Sequence, residues 1–316
     1  MVIFMRLFDL HCDTALAIYR KNASLKENDC HVSIEKARVF DNYVQNFAIF
    51  TSPRLDNDEG YENYLLAYKR LMEEAQKNSE SVAVAKTSVE LQKNVADGKM
   101  VILPAVEDAR IVGNDISRLD VLRENGTWYL TLLWGGDTVI GGSHNTQNGL
   151  TDFGKRVVCG CFERGIVPDI SHASEFSADD IVSLAYEYGK PIIASHSNSY
   201  SVYSHTRNLR DRHLKAISEL GGIVGISLCN SHLADKKDED TDVTDVIRHI
   251  EYYMSNGAAD LLCVGADWDG TDLPNGFSDI RDMSKIYSEL QRLNYSNETI
   301  DKIFFKNAFD FYSKIR

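Results

Sequence analysis

Proline and cysteine are scarce in this chain of 316 residues, which has 5 of one and 6 of the other beside 20 glycines. With no glycine period and no proline-rich tract, collagenous and low-complexity classes are excluded. Six cysteines at this length are too sparse for a disulfide scaffold. Cys159 and Cys161 form a C-x-C inside a helical pattern, which points them to different faces, so they read as free thiols in a reducing cytoplasm. Basic charge is also short: 34 Lys and Arg stand against 47 Asp and Glu, a net charge of -13 that repels a phosphate backbone and argues against nucleic acid as a partner. No run approaches the roughly 18 apolar residues of a membrane span. The opening MVIFMRLFDLHCDT lacks the apolar segment of about 7 to 15 residues that a signal peptide needs. The expectation is a cytoplasmic chain with no membrane partner.

What the sequence does have is 43% apolar residues arranged in a repeating pattern. Short runs rich in Val, Ile, Leu and Phe alternate with longer segments of 3.6 period, as βα units around a parallel sheet would. Eight strands are expected, at residues 6–10, 43–50, 101–106, 128–133, 166–170, 191–194, 222–228 and 261–266. Between them, Thr151 is placed to cap a helix that stops at Gly165, and Ser177 with Asp180 resembles a capping box for a helix ending near Gly189. Eight strands and eight crossovers predict an α/β fold, a (β/α)8 TIM-type barrel forming one domain over residues 1–316. An open doubly wound sheet would show a similar period.

Active sites in such barrels gather at the carboxyl ends of the strands. His11 and Asp13 follow the first expected strand, Glu107 and Asp108 the third, Trp134 the fourth, His172 the fifth, His196 the sixth, and Asp267 and Asp269 the eighth. So many imidazoles and carboxylates on one rim would cost desolvation energy without a partner, and a metal centre is the economical explanation. His11-Cys12-Asp13 is an H-x-D in which a strand period of 2 turns both candidate ligands inward and Cys12 outward. A mixture of imidazole and carboxylate suits zinc or another first-row divalent ion better than calcium or magnesium. Three His and two carboxylates exceed the need of one open zinc site, so two ions sharing a bridging carboxylate are expected.

The motifs FDLHCDT, YLTL, GLTDFGKRVV, DISHASE, PIIASHSNSYSV, HTRNLRD, GGIVGI and VGADWDG occur in this order over most of the chain. In them the sequence resembles the membrane (renal) dipeptidase family of zinc peptidases, in a bacterial-type form. The resemblance implies a barrel of the amidohydrolase kind with two Zn²⁺ per chain, hydrolysing dipeptides with broad side-chain tolerance, a D-residue at the C-terminal position included, through a hydroxide shared by the ions. It further implies that His11 and Asp13 bind one zinc, His172 and His196 the other, and that Glu107 bridges them. Asp267 takes the place of the catalytic acid/base and Arg207 that of the group binding the substrate carboxylate. The family also suggests a homodimer. One position departs: where animal members follow YLTL, one residue on, with a histidine that stabilises the oxyanion, this chain has Trp134, expected to wall the substrate pocket. His144, in the glycine-rich loop GGSHNTQNG, is the nearby candidate to replace that histidine.

Blander readings stand beside these. Arg207, in a segment that also holds Arg210 and Arg212, could serve a surface salt bridge to an acidic partner. Asp108 and Asp269 suit loop capping, His144 a solvated loop, and His31, His213, His232 and His249 solvated or core positions. The run from Asp235 to Asp245 reads as a solvated loop and helix start. Two other functions compete with the dipeptidase: an amidohydrolase acting on N-acyl amino acids or cyclic amides, and a non-catalytic metal-stabilised binding protein. Asp267 weighs against the last, since a structural site needs no free carboxylate beside the metals.

Overall fold

A computed structural model describes residues 5–316. Its strands are β1 (Leu7–Cys12), β2 (Tyr43–Phe50), β3 (Val82–Val84), β4 (Met100–Glu107), β5 (Tyr129–Thr131), β6 (Val167–Asp169), β7 (Val224–Ile226) and β8 (Leu262–Val264). All pair in parallel, in the order β6-β5-β4-β2-β1-β8-β7, with β3 against the start of β4. β6 and β7 do not touch. Between them runs the segment expected as the sixth strand, residues 191–194. It pairs only through single bridges, Asp169 with Ile193 and Ala194 with Val224. Two backbone hydrogen bonds on each side complete this seam, Ile170 N to Ile193 O and Ile193 N to Pro168 O, then Ala194 N to Ile223 O and Gly225 N to Ala194 O. The result is a closed ring of eight staves, the TIM-type architecture.

β3 is an extra strand absent from the sequence reading: three residues within SVAVAKTS are too few for a visible alternation. Leu7, Phe8, Leu10, Val44, Phe47, Val101, Leu103, Leu130 and Val224 are buried on the staves, as strands shielded on both faces require.

Helices follow their caps. Thr151 accepts from Gly154 N at the start of Asp152–Arg164, which ends on left-handed Gly165. The next helix, Glu175–Tyr188, is capped by Ser174 instead of Ser177. Ser177 lies inside the first turn, where its hydroxyl donates to Gly142 O at 2.7 Å, and Asp180 accepts from Leu150 N at 2.9 Å. Both are spent holding the 135–150 loop, so neither is free to cap. Among the described residues no helix is long and apolar enough to cross a membrane, and all six cysteines are free.

Candidate metal centre

The carboxyl ends of the staves bring His11, Asp13, Glu107, His172, His196 and Asp267 into one cluster. β1 carries a bulge between Asp9 and Cys12, and a helix starts at Thr14. The bulge and the helix start, more than a plain strand alternation, aim His11 and Asp13 at the same point. Cys12 is buried on the other side. His11 Nε2 lies 3.5 Å from Asp13 Oδ2, 3.6 Å from Glu107 Oε2 and 3.7 Å from Asp267 Oδ1. The other oxygen of Glu107, Oε1, is 3.0 Å from His172 Nε2 and 3.5 Å from His196 Nε2. Glu107 thus turns one oxygen to each of two ligand groups.

Hydrogen bonds decide which nitrogen of His11 and of His196 is available. Tyr129 Oη donates its one proton to Leu10 O at 2.9 Å, so at its 2.8 Å contact with His11 Nδ1 it must accept, which puts the imidazole proton on Nδ1. His11 Nε2 is left as a fully buried lone pair with no hydrogen-bond partner. In the same way Ser195 Oγ donates to Asp169 Oδ2 and accepts from His196 Nδ1 at 2.7 Å, freeing His196 Nε2 toward the cluster. Two buried lone pairs, on His11 and His196, lying 3.5 to 3.7 Å from carboxylate oxygens are what a divalent cation requires of its surroundings. Two overlapping sets have ligand atoms close enough to share an ion, His11 with Glu107 and His196, and His11 with Asp13 and Asp267, and their mixture of nitrogen and oxygen suits a zinc-type ion.

The surrounding charges favour a positive charge at this point, proton or metal ion. Burial raises the carboxyls of Glu107 and Asp267, the latter well above the usual carboxylate range, and neighbouring Asp13 adds to both. Burial alone would lower His11, but Glu107, Asp13 and Asp267 outweigh it and hold the imidazole well above its ordinary value. His172 and His196 are pushed well down, by burial first and by the Arg207 charge among others. The cluster is short of positive charge on the His11 side.

Two buried aspartates absent from the sequence reading build the rim. Asp9 accepts from His11 N, Ala266 N and the Trp268 indole N–H, at 3.1, 3.0 and 2.9 Å, tying β1 to the end of β8. Burial raises its carboxyl to about 6. Asp169 accepts from Ser171 N, Ser195 N, Ser195 Oγ and Thr131 Oγ1, joining β5, β6 and residues 191–194. Each stands two or three residues before a cluster histidine. The only trace in the sequence is an Asp shortly ahead of His in DLH and DISH. Gly270 is equally concealed: a Cβ there would come within 2.2 Å of Asp13 Oδ2 and 2.3 Å of Asp267 Oδ1, so only glycine lets the β8 loop approach.

A cavity of about 520 Å³ opens above the cluster. Its walls include Asp13, Glu107, His172 and Asp267 from the cluster, and Arg207, Trp134 and His144 from the loops. Arg207 is buried, where a surface salt bridge had been the bland alternative. Its Nη1 and Nη2 donate to Ser197 Oγ and His196 O, both at 3.1 Å, and its Nε–H has no partner. Trp134 packs against Phe50 at 4.8 Å between ring centroids. His144, read as a solvated loop residue or a replacement donor, sits on the cavity wall with its ring 5.6 Å from that of His172; burial, with Arg207 nearby, lowers it to about 4. His232 corrects its reading: it is neither solvated nor core but lines the cavity, stacked on His205 at 4.6 Å and lowered to about 2 by burial and Arg207. His249 is a core residue, accepting from Ser199 N and bonded to Leu233 O. Asp108 caps a turn through Arg110, and Asp269 accepts from Thr14 Oγ1 and His31 N while also lining the cavity.

Comparison with known proteins gives one consistent relationship. The family model described as membrane dipeptidase, peptidase family M19, matches residues 2–315. An uncharacterized protein in the pqqA 5′ region of Klebsiella pneumoniae is 32% identical over 168 residues, a match covering 52% of this chain and 61% of that protein's length. Among solved structures, the dipeptidase AC, a metallo peptidase of family M19, superposes with a TM-score of 0.91 at 24% identity over 99% of each chain. A metallo peptidase from Rhodobacter sphaeroides liganded with a phosphinate mimic of the dipeptide L-Ala-D-Ala gives 0.90 at 24% identity, over 99% of this chain and 100% of that one. Both superpositions show a shared fold.

Proposed function

The chain belongs to the membrane dipeptidase family, peptidase family M19, and is a metal-dependent hydrolase; from that premise we propose that it cleaves dipeptides at a pair of zinc ions. Side-chain tolerance is broad in this reading, and a D-residue is accepted at the C-terminal position. The observation that carries the pair is Glu107, whose Oε2 faces His11 and whose Oε1 faces His172 and His196. His11 and Asp13 would hold one ion, His172 and His196 the other, with Glu107 shared. Bound there, the ions would supply a water made acidic enough to attack near neutral pH and an electrophile for the scissile carbonyl.

The remaining steps belong to the chain. Asp267, whose Oδ1 lies 3.7 Å from His11 Nε2 on the cavity wall, takes the proton of the attacking water and returns it to the departing nitrogen. Arg207 receives the C-terminal carboxylate: of its five N–H groups two are engaged in the protein, which leaves a charged, positioned donor set. Because Arg207 lines the same cavity as Glu107, His172 and Asp267, a carboxylate held there favours a short substrate. Trp134 closes a wall and sets the pocket's shape.

The test loads the purified protein with zinc and assays L-L and L-D dipeptides beside N-acyl amino acids. Release of amino acids from dipeptides is expected. Hydrolysis confined to N-acyl amino acids would replace this reading with an acylase. Elemental analysis should find about two ions per chain, falling to one or fewer in Glu107→Ala, because a shared ligand serves both positions. Unchanged metal content in that variant rejects the bridge.

A further inference from the structure

We propose that this active site selects dipeptides whose N-terminal residue carries an acidic side chain, Asp or Glu, and that Arg20 recognises that carboxylate. The proposal rests on the dipeptidase reading and deepens it.

Helix Thr14–Lys21 starts directly after Asp13, so its first turns form a wall of the cavity. Leu16, Ala17 and Arg20 lie on that wall, at spacings of one and four residues that a helix presents on one side, with Phe50 from the end of β2 beside them. Arg207 is across the barrel mouth, in the loop that follows residues 191–194. A dipeptide with its C-terminal carboxylate on Arg207 and its peptide carbonyl at the Glu107 cluster extends its N-terminal residue toward Leu16, Ala17, Phe50 and Arg20. The wall there offers Leu16, Ala17 and Phe50 together with the exposed Arg20 guanidinium. An Asp or Glu side chain has the matching shape: a methylene stem and a terminal carboxylate that a guanidinium can grip with two parallel N–H bonds.

Among the described residues, Arg20 is one of six arginines without an ion pair and, with Arg207, one of two that line the cavity. Eleven arginines of this acidic chain are ion-paired. Arg20 is exposed on the cavity wall and, among the described residues, has no hydrogen-bond or ion-pair partner. The carboxylates that line the cavity are committed elsewhere. Asp13, Glu107 and Asp267 face His11 Nε2, and Asp269 accepts from Thr14 Oγ1 and His31 N. A cation held on a short helix over the substrate chamber, with no acid of the protein to meet it, is left for an acid of the substrate.

The experiment compares kcat/KM of the zinc-loaded wild type for Glu-Ala, Gln-Ala, Lys-Ala and Ala-Ala, with Ala-Glu and Ala-Gln as positional controls. Glu-Ala should exceed Gln-Ala by about 5- to 30-fold, mainly through KM, the span expected of a charge-assisted pair partly open to solvent. The ratio should shrink as salt is raised. In Arg20→Gln it should fall close to one, and in Arg20→Glu Lys-Ala should overtake Glu-Ala. Equal rates for Glu-Ala and Gln-Ala in the wild type, a preference that survives in Arg20→Gln, or an acid preference seen only in Ala-Glu would each overturn the proposal while leaving the dipeptidase reading intact. Failure to cleave any of the six peptides would overturn both.

Discussion

At the scale of single residues, the candidate centre depends on side chains that never meet a substrate. Tyr129 is one. Its hydroxyl fixes the proton of His11 on Nδ1 because its own proton is committed to Leu10 O. Tyr129→Phe leaves that N–H without an acceptor and frees the ring to change tautomer. Metal affinity should fall by about 10- to 100-fold with the fold intact, which competition with a coloured chelator would measure; unchanged affinity would show that the ring is held by packing alone. Asp267→Asn tests a different function: metal is retained and kcat drops by about 10² to 10⁴, the range for a lost acid/base. An unchanged rate would remove Asp267 from proton transfer. These cases also mark how far the sequence could be read. His11, Asp13, Glu107, His172, His196 and Asp267 stand at strand ends, where chemistry and position coincide, and the structure brings them together. Asp9 and Asp169 have the same letters as ligands but serve the backbone, a distinction that lies in hydrogen bonds and not in spacing. His144 and His232 reach the cavity through loops whose paths no local pattern encodes.

At the scale of elements, the ends of the strands are strained where the chemistry sits. Asp108, His172, Asp267 and Asp269 all have φ between 64° and 78°, among only six such non-glycine residues described. Each conformation costs on the order of 1–3 kcal/mol and must be held by its surroundings, here by the Asx and carboxylate bonds of the rim. The helices supply compensating stability. Glu74, buried on helix Asn57–Lys77, accepts from Leu25 N at 2.9 Å and Ser24 Oγ at 3.1 Å and meets Lys77 and Arg70. Burial pushes its carboxyl up, but these donors together prevail and hold it below the ordinary value of 4.5. A depressed carboxyl contributes stability above its unfolded pKa and loses it as pH falls through the folded one. Glu74→Gln should therefore cost about 1–3 kcal/mol at pH 7. The difference should narrow below the usual carboxyl range and disappear in stronger acid. Urea titrations at several pH values would check it, and a constant difference would mean that packing, not charge, is lost. Thr151, Gly165 and Gly189 mark helix limits that their caps make legible, whereas at Ser174 the cap lies three residues ahead of a better-looking motif.

At the scale of the whole molecule, the barrel is built around buried carboxylates that need a counter-charge. With no cation at Glu107 and Asp267, burial raises both toward the neutral form. A cation at the centre therefore stabilises the native barrel over the unfolded chain, by about 2.7 kcal/mol for each site when free metal is a hundredfold above Kd. Removing metal with a chelator should lower Tm by about 5 °C or more while the far-ultraviolet circular dichroism is retained. No change in Tm would show that the centre is not coupled to folding. The eight staves and their order follow from the alternation of short apolar runs with helices; the closure does not, because it rests on isolated bridges at residues 191–194.

That closure has a dynamic consequence. Residues 191–194 are joined to β6 and β7 by two backbone hydrogen bonds on each side, whereas β2 and β4 are zipped along seven consecutive pairs. These joints, like that of β1 with β8, which share one ladder pair, are where the ring has least backbone pairing. His172 and His196 stand on the two sides of the opening between β6 and this stave, and their Nε2 atoms are 3.0 Å apart. An ion gripped by both is a rivet across the gap, with Asp169 as the stitch beneath it. Amide hydrogen exchange at Ile193 and Ala194 should accordingly outpace that of Phe47 and Leu103 in the stripped protein and slow sharply when zinc is added. In Asp169→Asn the joint should remain fast even with metal, so that the looseness of one seam governs how firmly any ion between these two imidazoles is kept.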